Sequence, residues 1–291
     1  MRRAHTQIRL SGGAGQLDLE ASQRLSMNAE ESASRRKHVA LITGGSRGIG
    51  RATAAEFAAH GHPLALVARN GDALLRAAEA LRSDYGVPVT TYPLDITVKG
   101  APERLQRALA RDDLNVRYLV NNAGYWSRGS VELTPIDDLE RVVSTNILAP
   151  LRLAKTFLPQ LAAANGGILW MSSLAALMPT PAFASYGASK AFITAVSVAM
   201  QHECRARKIM VCVVLPGLVR TDFVTSNATS IWYRMCASAP ETVARAAYRG
   251  FLSGQATVVP GLLSRVMYFG IKSLPAPVTQ GIFHVASEQY H

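Results

Sequence analysis

The stretch that decides the fold is Thr43-Gly44-Gly45-Ser46-Arg47-Gly48-Ile49-Gly50. It follows a short apolar run at 39–43, which predicts a buried strand, and precedes a pattern through His60 that predicts a helix. Glycine tolerates positive φ angles and lets another group approach the backbone closely. The sequence therefore predicts a strand, a tight glycine-rich turn and a helix, in that order.

The rest of the chain repeats this alternation of strand and helix. Alternating elements predict a mainly parallel sheet that is covered by helices on both faces and has right-handed crossovers. No boundary interrupts residues 38–260, so we expect one domain there. Further strands are predicted at 64–68, 89–92, 118–121, 168–171, 210–215 and 257–259, and helices over 74–81, 105–109, 139–163, 186–207 and 243–251, the last opened by Pro240.

The two ends of the chain differ from this pattern. Residues 1–37 contain arginines and a glycine-rich run, without a sustained apolar period or the apolar core of a secretory signal, and predict a disordered tail. In the alternatives, residues 1–37 are an expression leader, or translation starts at Met27. Residues 261–291 mix basic and apolar side chains and predict a helical extension. A helix packed on the domain or on a neighbouring subunit is favoured there over an interfacial membrane helix.

Composition excludes several classes of protein. The chain has 291 residues and a formal net charge of +11, but its basic residues are dispersed, with no arginine-rich helix, so we expect no nucleic-acid partner. Its apolar runs are shorter than the roughly 18 residues that span a bilayer. Cys204, Cys212 and Cys236 form an odd set without metal-ligand spacing, which indicates a reducing cytoplasm and no metal site.

The glycine-rich turn has the context of a dinucleotide-binding turn. A helix that begins directly after such a turn offers free N–H groups and a partial positive charge to a pyrophosphate. The spacing, with three residues between Gly44 and Gly48, is longer than that of the common G-x-G-x-x-G pattern. A plain connector is the alternative interpretation of the turn alone.

The end of the second predicted strand indicates which dinucleotide binds. A site for NAD usually places a carboxylate there, but this chain has Arg69 and Asn70, and Arg47 projects from the glycine turn. Two guanidinium groups suit a 2′-phosphate, so the sequence favours NADP(H). In the alternative, Asn70 or Asp72 caps the next helix and the arginines are solvated.

A candidate catalytic set lies in the second half of the chain. Tyr186 and Lys190 are four residues apart on one helical face, and Ser173 follows the strand at 168–171, where open α/β sheets bind ligands. Reduction of a ketone requires a hydride at carbon and a proton at oxygen. An ammonium group near the phenol lowers its pKa, and a fall from ~10 to about 7 requires roughly 4 kcal/mol. Ser173 is expected to hold the substrate oxygen.

Taken together, these motifs resemble the short-chain dehydrogenase/reductase family over about residues 39–260. The resemblance implies a single Rossmann-type, doubly wound sheet of seven strands, and dimers or tetramers with the helices that begin near Ile136 and Tyr186 at an interface. Residues 260–269 resemble the C-terminal extension of a bacterial reductase subgroup near this family. The matching residues are 43–50, Asp95, Asn121, Asn122, Ala123, Gly124, Asn146, Ser173, Tyr186, Lys190 and 216–221.

The resemblance implies a role for each matching residue. Asn146 would hold a water that links Lys190 to solvent, and Lys190 would also bind the nicotinamide ribose. Asp95 and Ile96 would contact the adenine, and Val219 and Thr221 the carboxamide. The cofactor-binding set is Thr43, Gly44, Ser46, Arg47, Gly48, Ile49, Gly50, Arg69, Asp95, Ile96, Asn122, Ala123, Gly124, Tyr186, Lys190, Pro216, Gly217, Val219 and Thr221.

The predicted function is therefore hydride transfer between NADPH and a carbonyl or alcohol. Substrate choice is expected to depend on Tyr125, Trp126, 174–183 and 223–239, where Ile231, Trp232, Tyr233 and Met235 form either the wall of an apolar pocket or a helix packed on the core. This favours an apolar or bulky ketone or aldehyde. A sugar-nucleotide epimerase and a non-catalytic NADP(H)-binding scaffold are the alternative functions.

Overall fold

One seven-stranded parallel sheet forms the centre of the molecule. The computed structural model describes residues 37–178, 181–221 and 237–274, and in them the strand order is β3-β2-β1-β4-β5-β6-β7. The chain winds outward from β1 to one edge and then from β4 to the other, which confirms the predicted doubly wound α/β fold. The strands are β1 Lys37–Thr43, β2 Leu64–Ala68, β3 Val89–Pro93, β4 Leu114–Asn121, β5 Gly167–Met171, β6 Met210–Val214 and β7 Thr257–Val258.

Helices connect the strands and cover the sheet. The long helix α6 carries the candidate catalytic pair, and a π-helical turn, Ser144–Leu148, joins α4 to α5. Short 3-10 turns at Leu174–Leu177 and Arg205–Arg207 follow β5 and α6. The α-helices are α1 Gly48–Ala59, α2 Gly71–Tyr85, α3 Ala101–Arg111, α4 Ile136–Val143, α5 Ala149–Ala163, α6 Ala184–Glu203, α7 Pro240–Leu252 and α8 Leu262–Ser273.

The sheet has a hydrophobic core on each face. Along β1, Val39 and Leu41 join one cluster, whereas Ala40 and Ile42 join the other. Successive side chains of a strand point to opposite faces, so a strand buried on both sides must be apolar at every position. This explains why β2, β5 and β6 read as continuous apolar runs.

Several element boundaries differ from those predicted. Strand β4 begins at Leu114 rather than residue 118, because Asn115 and Arg117 alternate with the buried Leu114 and Val116 and hid the strand in the sequence. The helix predicted over 186–207 ends at Glu203. The helix predicted over 139–163 is interrupted by the π-helical turn.

Several predictions concern residues outside the described ranges. They are the tail at 1–36, most of the proposed substrate segment at 223–239, including Ile231, Trp232, Tyr233 and Met235, and the end of the C-terminal extension after residue 274. No helix of the described residues is long and apolar enough to cross a bilayer.

Candidate active site

The candidate catalytic residues converge at the carboxyl edge of the sheet. Ser173 lies two residues after β5, Tyr186 and Lys190 lie in the first half of α6, and Asn146 lies in the π-helical turn before α5. These four positions span 45 residues of the chain and come together because α6 crosses the end of β5. The site therefore forms where parallel α/β sheets bind ligands.

Tyr186 and Lys190 are neighbours on α6, as their four-residue spacing predicts. The Lys190 Nζ atom lies 5.7 Å from the centroid of the Tyr186 ring. Lys190 is buried, and its Nζ donates a hydrogen bond to the carbonyl oxygen of Met171 at 2.8 Å. The ammonium group is thus held between the end of β5 and the face of the phenol ring.

Ser173 contacts the same tyrosine. Its side chain forms a hydrogen bond with the Tyr186 hydroxyl, and its Oγ accepts a hydrogen bond from the backbone N–H of Ala175 at 3.1 Å. The second bond caps the 3-10 turn that begins at Leu174 and restricts the orientation of the serine side chain. Ser173 and Tyr186 can therefore present two hydroxyl groups to one substrate oxygen.

Burial has the largest effect on the pKa values of Tyr186 and Lys190. It raises the pKa of Tyr186 to about 12, which the hydrogen bond from Ser173 only partly opposes. It lowers the pKa of Lys190 to about 8. The expectation that Lys190 brings the phenol pKa down to about 7 is therefore wrong for the structure described here. Loss of hydration penalises each charged form, and for the phenolate this cost exceeds the benefit of the hydrogen bond from Ser173.

Asn146 holds the loop that follows β4. Its Oδ1 accepts a hydrogen bond from the Tyr125 N–H at 2.8 Å, and its Nδ2 donates to the Tyr125 carbonyl at 2.8 Å and to Ser189 Oγ at 2.9 Å. Both amide protons are thus engaged. Asn146 Oδ1 and Lys190 Nζ lie 3.5 Å and 3.7 Å from the point where a Cβ on Gly124 would stand. Gly124 thus lies next to both Asn146 and Lys190.

Two serines that the sequence analysis did not identify complete this network. Ser189 Oγ donates to the Tyr186 carbonyl at 2.7 Å while accepting from Asn146, and Ser172 Oγ donates to the Lys190 carbonyl at 2.9 Å. Ser189 is three residues from Tyr186 on α6, and Ser172 directly precedes Ser173. A polar residue on a buried helical face was the signal that could have identified Ser189.

The glycine turn between β1 and α1 has the backbone geometry that its sequence predicts. Gly44 and Gly48 have φ angles of 68° and 54°. A Cβ on Gly50 would lie 2.2 Å from the Gly44 carbonyl oxygen and 2.4 Å from Asn122 Nδ2. Any side chain at this position would overlap both atoms, so the turn requires glycine there. The first turn of α1 has neither a side-chain cap nor an acidic residue, so its N–H groups are available to an anion.

Thr43 and Asn122 join the glycine turn to the end of β4. Thr43 Oγ1 accepts hydrogen bonds from the backbone N–H groups of Asn122 and Ala123 at 3.0 Å each and donates to the Val120 carbonyl. Asn122 Nδ2 donates to the Thr43 carbonyl at 2.9 Å. Both side chains therefore support the shape of the cleft by bonds within the protein, in addition to any contact with a cofactor.

The residues expected to select the cofactor lie at the ends of β1 and β2. Arg47 and Arg69 are both exposed, and Asn70 caps α2 by accepting from the Ala73 N–H at 2.9 Å. Asp95, after β3, accepts two hydrogen bonds from Thr97. Burial acts to raise the pKa of Asp95, but these bonds and the charge of Arg69 outweigh it and lower the pKa. The Asn70 cap and the free arginines are compatible, so the cap does not exclude an NADP(H) site.

The loop after β6 closes the other side of the cleft. The Pro216 carbonyl accepts from the Leu174 N–H at 2.8 Å, and Val219 is buried and pairs with Ser238. The Thr221 side chain lies 3.3 Å from the point where a Cβ on Gly48 would stand. The two glycine-containing segments predicted to contact the cofactor are therefore adjacent in space.

Two aromatic side chains connect the segments expected to choose the substrate. Trp126, after β4, and Phe183, before α6, stack with their ring centroids 5.8 Å apart and their planes 17° from parallel. Next to them, the Tyr125 hydroxyl donates to Asp138 at 2.7 Å. Phe183 directly precedes α6 and is three residues from Tyr186 in the chain, so the stacked pair lies at the start of the helix that carries the candidate catalytic residues.

Comparisons with known proteins identify the family of the chain. A family model described as short chain dehydrogenase matches residues 38–231. The chain is 27% identical over 248 residues to the very-long-chain 3-oxoacyl-CoA reductase of Bos taurus, covering 84% of this chain and 75% of that protein. It is 32% identical over 209 residues to the fatty acyl-CoA reductase of Acinetobacter baylyi, covering 71% and 70%.

A solved structure shares the architecture. It is a short-chain dehydrogenase from Sphingobium yanoikuyae in complex with NADPH, with 30% identity, a TM-score of 0.69, and coverage of 84% of this chain and 94% of that one. The family model, these relatives and the parallel sheet with its glycine turn all lead to one assignment: the chain belongs to the short-chain dehydrogenase family of oxidoreductases.

Proposed function

We propose that this protein reduces a ketone or aldehyde with NADPH and that Tyr186 donates the proton. The observation that carries the proposal is the arrangement of Ser173, Tyr186 and Lys190, in which two hydroxyl groups and a buried ammonium group meet at the carboxyl edge of the sheet. The glycine turn lies at the same edge, and its φ angles and the uncapped N-terminus of α1 fit a pyrophosphate.

The protonation of the pair favours the reductive direction. With a pKa of about 12, Tyr186 carries its proton at neutral pH and is ready to give it to an oxygen on which negative charge develops. The Ser173 hydroxyl donates a hydrogen bond to the same oxygen and orients it. When the phenolate forms, Lys190, whose pKa of about 8 leaves it largely protonated at neutral pH, stabilises that charge. NADPH, when bound, supplies the hydride that goes to the carbonyl carbon.

The proposed preference for NADPH rests on charge. Arg47 and Arg69 are exposed at the ends of the segments that would face the 2′ position of the adenosine ribose, and no acidic residue follows β2 directly. A 2′-phosphate gains two guanidinium partners there, whereas the ribose hydroxyl of NADH lacks the carboxylate that would bind it. The related structure from Sphingobium yanoikuyae was solved with NADPH.

The proposed substrate is an apolar or bulky carbonyl compound. The stacked Trp126 and Phe183 provide apolar surface at the start of α6, the helix that carries Tyr186. The bovine and Acinetobacter relatives are named as reductases of long or fatty acyl-CoA thioesters, which carry apolar chains. Both features favour an apolar compound over a small polar sugar.

The decisive experiment measures NADPH consumption with a panel of apolar ketones and aldehydes, for the wild type and Tyr186→Phe. Loss of the proton donor should lower kcat by at least about 100-fold, because positioned general acids contribute roughly 10²–10⁴-fold. Tyr92→Phe is the matched control: it also removes a phenol hydroxyl that donates to an aspartate, here Asp112, but Tyr92 lies outside the proposed catalytic and binding residues. If the wild type binds NADPH but shows no turnover that is lost in Tyr186→Phe, the result would indicate the non-catalytic scaffold function instead.

A further inference from the structure

Helix α8 turns an apolar face away from the protein. Leu262, Val266 and Phe269 are 79%, 61% and 65% exposed, and Leu263 and Met267 beside them are exposed as well. These residues recur at intervals of three and four, so they occupy one broad side of the helix. An ordinary surface helix has the opposite arrangement, with its apolar side toward the core.

The side of α8 that faces the domain is narrow, and its residues are already packed against the domain. Ser264 is buried against Gly217, and Tyr268 packs against the core cluster that contains Leu174. The packing of these two residues fixes how the helix is rotated about its axis. The exposure of Val266 and Phe269 therefore follows from a defined attachment of α8 to the domain.

Basic side chains flank the apolar face. Arg265 and Lys272 are seven residues apart and lie on the same edge of α8, and the helix contains no acidic residue. Arg265 Nε donates to the Val259 carbonyl at 3.1 Å, and Lys272 Nζ lies 5.1 Å from the Tyr268 ring centroid. Arg265 and Lys272 thus lie along the edge of α8 where the apolar face meets the side that is attached to the domain.

We propose that α8 docks in the plane of an anionic lipid surface, with Leu262, Val266 and Phe269 inserted among the acyl chains. An exposed apolar face bordered by cations is the pattern of an interfacial helix, and anionic headgroups complement both the two cations and the net charge of +11. A second copy of the chain fits less well, because a two-fold contact between two α8 helices would bring the same cations together without an acidic partner on either helix.

Docking would bring the carboxyl edge of the sheet to the lipid surface. Helix α8 begins four residues after β7 ends, and Ser264 Oγ lies 2.6 Å from the point where a Cβ on Gly217 would stand, in the loop after β6. The attached helix therefore lies beside the same edge as Ser173. The inference concerns binding alone and holds whether or not the proposed reductase activity is correct.

The test is flotation of the full chain with phosphatidylcholine vesicles and with vesicles that also contain phosphatidylglycerol. We expect the wild type to float with the anionic vesicles and to be released by high salt. The double variant Val266→Ser/Phe269→Ser should lower the partition coefficient by at least about 100-fold, because two large apolar side chains no longer enter the bilayer. Val131→Ser is the matched control, since Val131 is also 61% exposed but lies outside α8.

The outcomes distinguish a lipid surface from a second copy of the chain as the partner of the apolar face of α8. Unchanged melting temperatures of the variants, together with loss of flotation only in the α8 double variant, would support the proposal. Failure of the wild type to float, or equal flotation of the double variant, would overturn it. A dimer in analytical ultracentrifugation that dissociates in the double variant, without vesicle binding, would instead assign the face to a second copy.

Discussion

Tyr186 and Lys190 share one buried environment, and burial moves their protonation in the same sense, toward the neutral form of each. The pKa of Tyr186 rises to about 12 and that of Lys190 falls to about 8. The sequence indicated that the two side chains would be close, but it did not show how much hydration each loses. The structure therefore supports a neutral phenol that acts first as an acid.

The buried lysine predicts a specific dependence of stability on pH. Because the pKa of Lys190 falls from 10.5 to about 8 on folding, the folded state binds fewer protons, so the wild type gains stability as pH rises through 8 toward 10.5. The cost of the buried charge at pH 7 is about 3 kcal/mol. We expect Lys190→Met to be more stable than the wild type at pH 7, and the difference to shrink by about 2 kcal/mol between pH 7.5 and 9.5.

Urea unfolding at a series of pH values measures this difference. Lys155→Met is the matched control, since Lys155 is exposed on α5 and its replacement should follow the wild type at every pH. A difference between the wild type and Lys190→Met that does not vary with pH would show that Lys190 bears no such cost.

Ser189 is predicted to position Asn146 and the backbone at Tyr186. Replacing Ser189 with Ala leaves one Asn146 amide proton without its partner and should cost about 1–3 kcal/mol in the free energy of unfolding. We also expect kcat to fall by about 10-fold with KM nearly unchanged, because misplacement affects the reacting groups more than binding.

Ser197→Ala is the matched control for this prediction. Ser197 is equally buried on α6, and its Oγ has no hydrogen-bond partner among the described residues. Its replacement should leave both stability and kcat unchanged or slightly improved. Equal effects of the two substitutions in steady-state kinetics and thermal unfolding would refute the positioning role of Ser189.

At the scale of elements, the glycine turn between β1 and α1 links folding to cofactor binding. Gly50→Ala should destabilise the protein by more than about 2 kcal/mol, or displace the turn and weaken NADPH binding at least about 10-fold, because the added methyl group would overlap the Gly44 carbonyl. Gly270→Ala in α8 meets nothing within 4 Å and should stabilise slightly. Thermal unfolding and NADPH titration by fluorescence measure both effects, and a Gly50→Ala protein with unchanged values would contradict this account.

Some elements could be read from the sequence and others could not. The range of β2 was predicted without error because Leu64–Ala68 is apolar at every position and bounded by turn residues. The start of β4 was missed because alternate polar residues masked it, and the π-helical turn at Ser144–Leu148 was missed because its hydrogen bonds leave no mark in hydrophobic periodicity. That turn carries Asn146, so a feature of the site itself was hidden from the pattern.

At the scale of the whole molecule, cofactor preference should appear as stabilisation of the entire domain. NADPH at 100 times its Kd should stabilise the folded state by about 2.7 kcal/mol, which corresponds to a rise in Tm of about 5 °C. We expect a larger rise with NADPH than with the same concentration of NADH, and loss of this difference in Arg69→Asp, because a carboxylate repels the 2′-phosphate.

Differential scanning fluorimetry with both dinucleotides tests this prediction. Arg245→Asp is the control for the change of charge, because Arg245 is exposed on α7, outside the proposed binding set. A larger stabilisation by NADH than by NADPH in the wild type, or an unaltered preference in Arg69→Asp, would reverse the assignment of the cofactor.

The sequence by itself determined the doubly wound α/β fold and the glycine turn, because apolar periodicity and residue spacing are local properties that survive without coordinates. The set Asn146, Ser173, Tyr186 and Lys190 was predicted from motif spacing together with the resemblance to a known family. Only the tertiary structure decided the charges of that set, the support from Ser172 and Ser189, and the outward apolar face of α8. Those features depend on which groups lose water and which side of a helix finds a partner, and both are set by packing between segments far apart in the chain.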